Sequence, residues 1–384
     1  MKPDGFGASS PGKIIAIREG DYAFLPEPLP PPGLSLESVM VEMGAAMQSI
    51  GRLQGRGKDL PNPDLLIRRL RESEALASSR MEGTIAEPRD LAKAAAQAAP
   101  KKVDAGGGDD IREILNYGAA LRDAMFALQD MPITHSMIRG VHRQLLSGLS
   151  AARGADKSPG EYRRKQCHIG YDKIIRFTPP PALEAEAALD ALVTYIRAET
   201  PHLPPLIKIA LIHYQFEAIH PFNDGNGRVG RILIPVFLAA NGVLERELPL
   251  FYPSVVLEKR RQEYLDRLLA VSRDGDWLGW IRFFLEVTRE SCVEALERAE
   301  RIFTLLEEHK GRLADKGRSQ NLVKLAEHLF QQPVVKISDV EELCDITYPA
   351  AQQIVERLVK AGILEEFPGE RPRLFVAPEV LDLY

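Results

Sequence analysis

His220-Pro221-Phe222-Asn223-Asp224-Gly225-Asn226-Gly227-Arg228-Val229-Gly230-Arg231 runs directly into the apolar segment Ile232-Leu233-Ile234-Pro235-Val236-Phe237-Leu238. Twelve residues thus hold one histidine, one carboxylate, a glycine-punctuated turn and two arginines. A loop that delivers flexible backbone to a helix N-terminus makes an anion site, because the first amides are unpaired and the helix dipole is positive there. Arginines just inside the helix add charge and forked donors suited to phosphate oxygens. An acidic side chain beside such a site makes sense when a cation lies between it and the phosphates. The histidine, with an unperturbed pKa near neutrality, is the natural proton acceptor. The stretch reads as a phosphate-transfer site on a helix.

Gly225 to Gly230 also satisfies G-x-G-x-x-G, but the dinucleotide-binding meaning of that pattern requires a hydrophobic strand just before it. Here Tyr214 to His220 is amphipathic and helix-like, and the chain has no parallel-sheet pattern. No lysine-hydroxyl pair follows the glycines, so a Walker loop is excluded as well.

The 384 residues suffice for two or three domains, and 45% hydrophobic with 27% charged residues describes a globular chain. A net charge of -5 gives no electrostatic argument for bulk nucleic-acid or membrane binding. Cys167, Cys292 and Cys344 are few and scattered, with neither metal spacing nor a disulfide framework, which points to a reducing cytoplasm. No run approaches a membrane span and the first twenty residues lack an apolar signal core.

Residues 1–35, rich in proline and glycine, read as an extended arm. Residues 36–110 form an N-terminal helical region. One helix is expected over Leu36 to Leu53, and another is capped by Asn62-Pro63-Asp64 and ends near Gly83. A small-residue connection follows from Ala96 to Asp110. Residues 111–313 are helical throughout: Ile111 to Gln129, Thr134 to Leu146, Leu183 to Ala198, Leu206 to Ile219, Asn226 to Ala240, Val255 to Ser272 and Trp277 to His309. The interruption is Gln166 to Pro181, where two short strands pair as a hairpin around Asp172. Residues 317–384 show three short helical patterns and then two strands around Pro368-Gly369, the outline of a winged helix-turn-helix.

The signature string resembles that of the Fic family, His-Pro-Phe-x-[Asp/Glu]-Gly-Asn-[Gly/Lys]-Arg-x-x-Arg, at every defined position. Ser78-Ser79-Arg80-Met81-Glu82-Gly83 resembles the family's inhibitory motif, [Ser/Thr]-x-x-x-Glu-[Gly/Asn], in the class with an N-terminal inhibitory helix. Gly160 to Arg164, the hairpin and Pro179-Pro180-Pro181 are similar to its target-binding flap. The resemblance covers about Leu36 to Ala295 and implies a mainly α fold: a Fic-type helical bundle with a small β-hairpin flap, here followed by the winged helix. It implies transfer of AMP from ATP to a Ser, Thr or Tyr hydroxyl of a protein, with self-modification included. His220 is then the general base, Asp224 holds Mg²⁺ between the α- and β-phosphates, and Phe222 anchors the loop. Asn223, Gly225, Asn226 and Gly227 bind the nucleotide's anionic part, with Arg228 and Arg231 on the outer phosphates. The regulatory set is Ser78, Glu82 and Gly83, and a protein target docks at the 166–178 flap. Family members form dimers, so a homodimer is expected too.

Elementary chemistry supports these roles. A positioned base contributes ~10²–10⁴-fold, and a triphosphate's charge is met jointly by metal, guanidiniums and helix terminus. Ser78 and Glu82, four apart, share a helix face. A carboxylate is disfavoured at a helix C-terminus without a partner, and Arg231 is the partner expected. His142 and His213 read as packing histidines, and His168 as a flap residue. Tyr252, Tyr264 and Arg260 lie on or near the segment after the signature helix, which the resemblance implies helps line the nucleotide pocket, although an amphipathic helix explains them equally. In the winged helix, Arg357 and Lys360 stand on the recognition position, while Arg371 and Arg373 are offset by Glu365, Glu366 and Glu370, weak equipment for DNA. Two alternatives remain: a DNA-binding regulator with the Fic core as sensor or scaffold, and a Fic enzyme that removes AMP or transfers another nucleotide.

Overall fold

The computed structural model describes residues 5–18, 21–58, 63–97, 108–153, 156–171, 174–314 and 320–383. The expected cap Asn62, most of the 96–110 connection and the hairpin turn at Asp172 fall outside them.

The chain opens with β1 (Gly12–Arg18) and β2 (Asp21–Pro26), an antiparallel pair. This corrects the reading of residues 1–35 as an extended arm. Ala23 and Phe24 are wholly buried, and Phe24 lies against Phe177, so packing turns the segment into a hairpin although prolines dominate the residues after it. α1 (Met40–Lys58) and α2 (Pro63–Met81) follow, and then α3 (Pro88–Gln97), whose start falls at the proline-acid pattern of Pro88 and Asp90. The sequence reading had no helix there; its alanines pass equally for a linker.

Next come α4 (Asp109–Ala127) and α5 (His135–Leu145), with Thr134 capping α5 through the Met137 amide. The flap is β3 (Ile169–Tyr171) paired antiparallel with β4 (Ile174–Phe177). α6 (Ala182–Arg197), α7 (Pro205–Ile219) and α8 (Asn226–Ala240) follow. α7 is apolar on nearly every face and is buried along its length, as a helix at the centre of a bundle should be. α8 packs beside it. Trp280 closes this core, donating its indole N–H to the Ala210 carbonyl at 2.8 Å.

The expected helix over 255–272 is two: α9 (Ser254–Lys259) and α10 (Arg261–Asp274), broken at Arg260. α11 (Trp277–Ala314) then runs 38 residues along α1. The C-terminal module comprises α12 (Gln320–Leu329), β5 (Val334–Lys336), α13 (Ile337–Cys344), α14 (Tyr348–Lys360), β6 (Glu365–Phe367), β7 (Leu374–Val376) and α15 (Pro378–Leu381). Its sheet has the order β5-β7-β6, all antiparallel, so a strand unforeseen in the sequence completes the two that were expected. Arg373 of this sheet is paired with Glu366 at 2.6 Å. Among the described residues, no helix is long and apolar enough to cross a membrane.

Candidate active site

α7 ends at His220, which takes a left-handed conformation (φ 51°, ψ 62°) as its amide still donates to the Phe216 carbonyl. Such a backbone persists in a non-glycine residue only when its surroundings enforce it. Arg163 does so. Only 3% exposed, it donates to the carbonyls of His220 (2.8 Å) and Ile219 (3.3 Å), while its own amide binds the Pro221 carbonyl at 2.9 Å. A buried cation at the negative end of α7 is electrostatically placed as well as geometrically useful. Nothing in the sequence distinguishes it from Arg164 beside it.

The loop from Phe222 to Asn226 is closed by the Asn226 side chain. Its Oδ1 accepts from the Phe222 amide and its Nδ2 donates to the Phe222 carbonyl, at 2.8 and 2.9 Å. Asn226 therefore spends its side chain on loop shape and leaves backbone for an anion. Phe222 is fully buried and stacked on His142, with ring centroids 3.8 Å apart. His142 does more than pack. Its Nδ1 accepts the Gly160 amide at 2.8 Å, so the remaining ring nitrogen, Nε2, carries the proton and donates to the Asp224 carbonyl at 3.0 Å. Burial lowers its pKa to about 4, keeping it neutral in that role.

Gly225, left-handed at φ 74°, begins α8. The Asp224 carboxylate accepts from the Gly225 amide (2.5 Å) and from Arg228 (3.2 Å), both through Oδ1. Arg228 is buried and also bound to Glu113 of α4, which in turn accepts the Thr84 hydroxyl at 2.6 Å. Burial lowers the Arg228 pKa to about 10, so it remains a cation at neutral pH. Asn223 is exposed at the loop's rim.

Arg231 is 2% exposed and faces α2. Its Nε donates to the Ser78 hydroxyl (2.7 Å), and its Nη2 donates to the Ser78 carbonyl (2.9 Å) and to the Glu82 carboxylate (2.7 Å). The same carboxylate presses on Gly227, where a Cβ would collide with it. Glu82 thus occupies the first turn of α8, the position an anionic ligand would take. Burial alone would raise its pKa, but Arg231 chiefly, with Arg228 and His220, holds it below the usual carboxylate range. Gly83, at φ 93°, supplies the left-handed turn that ends α2, and the Thr84 amide returns to the Ser79 carbonyl.

A cavity of about 260 Å³ opens over this contact. Glu82, His220, Gly227 and Arg231 are among its polar lining, and Ile169, Phe177, Leu265 and Leu268 among its apolar lining. Burial foremost, and then Arg163, lower the His220 pKa to about 4; Glu82 opposes the shift. The ring is neutral above that value, and its Nδ1 is buried without a hydrogen-bond partner. Glu217, one turn earlier, lines the cavity too. Its carboxyl rests on Gly230, and burial raises its pKa to about 8.

The cavity collects Glu82, His220, Gly227 and Arg231 from the signature and inhibitory motifs. Asn223, Asp224, Gly225, Asn226 and Arg228 belong to the loop but are not among its lining residues. Tyr264 lines the cavity and donates its hydroxyl to His213 Nε2 at 2.8 Å, since His213 Nδ1 donates to the Gly230 carbonyl. Tyr252 and Arg260 are elsewhere: the first is buried without a partner for its hydroxyl, and the second binds Glu263, Glu286 and Glu290.

Family models match this architecture twice. The model described as Fic/DOC family covers residues 132–238, and that described as Fic/DOC family N-terminal covers 40–125. The chain belongs to the Fic/DOC family. Among curated Fic relatives, Protein adenylyltransferase Fic of Culex quinquefasciatus is 30% identical over 193 residues, 49% of this chain and 35% of that protein. The same-named protein of Aedes aegypti is 29% identical over an equal length and equal shares. The chain therefore spans about a third of the length of these relatives. In fold, it is similar to a Fic family protein from Desulfovibrio desulfuricans (TM-score 0.58, 19% identity, 91% of this chain and 98% of that one). It is also similar to Fic-1, residues 134–508, from C. elegans (TM-score 0.52, 20% identity, 68% and 75%).

Proposed function

We propose that this chain transfers AMP from ATP to a hydroxyl on a protein side chain and that Glu82 holds the reaction back. The observation that carries the reading is one cavity lined by a neutral, half-buried histidine and the first turn of α8, where Arg231 is engaged by a carboxylate just past the end of α2. An attacking hydroxyl must shed its proton as its oxygen bonds to the α-phosphorus and pyrophosphate leaves. His220, uncharged above about pH 4, accepts that proton. The α8 amides and Arg231 meet phosphate charge, and the apolar lining suits the base.

The residues fit a divalent cation of the Mg²⁺ kind. Asp224 keeps Oδ2 free of protein donors beside the loop, and no cluster of three potential ligand side chains exists among the described residues. Mg²⁺ commonly binds through one or two carboxylates and completes its shell with phosphate oxygens and water. Bound there, it would neutralise phosphate charge.

Glu82 restrains this by taking the guanidinium and the helix turn that a phosphate needs. The β3–β4 flap borders the same cavity through Ile169, Gly170, Arg176 and Phe177. A target segment added to its edge would bring a hydroxyl toward His220 by backbone pairing, with little dependence on target sequence. Removal of AMP is a second reading, favoured by the Glu82 carboxylate lining the cavity with His220: water would attack the phosphorus of the AMP–protein ester and the protein hydroxyl would leave, taking a proton.

The test is incubation of wild type, His220→Ala and Glu82→Gly with α-labelled ATP, CTP, GTP or UTP and Mg²⁺ in lysate. Label should follow ATP, vanish in the first variant and rise in the second. Label that persists in His220→Ala overturns the assignment of the base. Loss of pre-installed label on incubation with wild type, absent in Glu82→Gly, would favour the hydrolytic reading.

A further inference from the structure

We infer that the C-terminal module is a working part of the brake, clamping both flanks of the segment that carries Glu82. This rests on the inhibitory reading of Glu82. On the near side, Arg69 of α2 is 1% exposed and donates its Nε–H to the Phe330 carbonyl, just past the end of α12, at 2.9 Å. On the far side, α3 docks on the sheet of the module. Ala92 and Ala96 join Val334, Leu374 and Val376 in a small apolar cluster separate from the main core. Around it, Arg89 stacks over Phe367 at 4.3 Å, Lys93 pairs with Glu370 at 2.5 Å, and Gln97 donates to the same carboxylate at 3.2 Å.

Between those grips lie the last three turns of α2, from Leu70 to Met81, and the connector of residues 82–87 that joins α2 to α3. Arg80 donates to the Ala86 carbonyl at 3.0 Å, so the link is short and folded back on itself. Glu82 is its first residue, and Thr84 is bound to Glu113, the partner of Arg228. One module thus holds α2 upstream of the six-residue connector and α3 immediately downstream of it. Where α3 sits determines whether the connector can hold the carboxylate over Gly227. An agent that lifts the sheet off α3 would weaken the Glu82–Arg231 contact without touching the active site.

Two kinds of variant in the full chain test this. Ala96→Glu puts a carboxylate into the apolar cluster and should undock α3. Lys93→Glu and Glu370→Lys each break a half-buried ion pair, and the double exchange rebuilds it with reversed sign. Each is measured by hydrogen exchange of peptides spanning 78–90 and by the initial rate of self-labelling from α-labelled ATP. Ala96→Glu should speed exchange in that segment and raise labelling. The single charge reversals should raise labelling at least roughly two- to fivefold, the range of a solvent-screened ion pair, and the double exchange should return it to the wild-type rate. In a Glu82→Gly background none of them should add further label. Unchanged exchange and labelling in Ala96→Glu, while Glu82→Gly labels faster, overturns the coupling. If Glu82→Gly itself labels no faster, the inhibitory reading fails, and exchange across 78–90 still reports whether the module holds the connector.

Discussion

Replacing Glu82 by glycine removes one charge-assisted hydrogen bond, from Arg231 Nη2 at 2.7 Å, and one carboxylate from the first turn of α8. The partners differ in exposure: the Arg231 side chain is 2% accessible and that of Glu82 36%. Breaking a fully buried pair costs about 3–5 kcal/mol and an exposed one about 0–1 kcal/mol. The half-open geometry here, with solvent screening one partner, argues for roughly 1–2 kcal/mol, a factor of about 5–30. Arg231 stays oriented after the substitution, since Ser78 still accepts from it twice. The gain should therefore appear in kcat/KM for ATP, read as initial incorporation of α-phosphate label at low ATP. Repeating the measurement at saturating ATP separates two modes of restraint. A carboxylate that only competes with phosphate is outrun by ATP, whereas one that leaves ATP misaligned keeps its effect. Folding should change little, because α2 already ends at Gly83 and a carboxylate at a helix C-terminus is unfavourable. Equal kcat/KM for wild type, Glu82→Gly and Glu82→Gln, with matching melting temperatures, would refute the restraint.

Gly227→Ala should abolish labelling even in the Glu82→Gly background, because a Cβ there intrudes beside Arg231 at the helix turn; retained labelling would mean the anion lies elsewhere. Arg163→Ala should lower the melting temperature and reduce kcat more than KM for ATP, since it unties the Ile219 and His220 carbonyls; a change in KM alone would deny it the positioning of His220. The acidic limb of kcat/KM should fall well below the pH 6.5 of a free imidazole, because burial first and Arg163 second disfavour the charged ring. A limb at 6.5 or above would show that His220 is solvated or is not the base. Glu217 makes a stability prediction. Its folded pKa of about 8 exceeds the ordinary 4.5, so between these values the folded chain retains a proton that the unfolded chain has lost. Stability must then decline as pH rises through that window, and Glu217→Gln should melt higher than wild type at pH 8, with the gap closing toward pH 5.

The loop and the Glu82–Arg231 contact were legible in sequence for a definite reason. A glycine-opened turn, a histidine and two arginines at helical spacing state their chemistry locally, and Glu82 four residues after Ser78 shares its face whatever the rest of the chain does. The helical bundle was legible because its apolar periodicity is long and regular, and the hairpin at 169–177 because prolines end it. Other features required the tertiary structure. β1–β2 and α3 have weak local preferences and form where they meet buried partners, Phe177 in one case and the sheet of the C-terminal module in the other. Arg163, His142, Glu113 and Glu217 are ordinary residues in sequence, and they acquire roles only because folding removes them from water. Burial makes His142 a neutral clamp and leaves His220 free to accept a proton. It also gives the Arg163 side chain four backbone carbonyls to bind, those of Lys165, Pro180, Ile219 and His220. The sequence by itself determined which groups could handle a phosphate; the fold decided which of them face one cavity, because desolvation and long-range contact have no local signature.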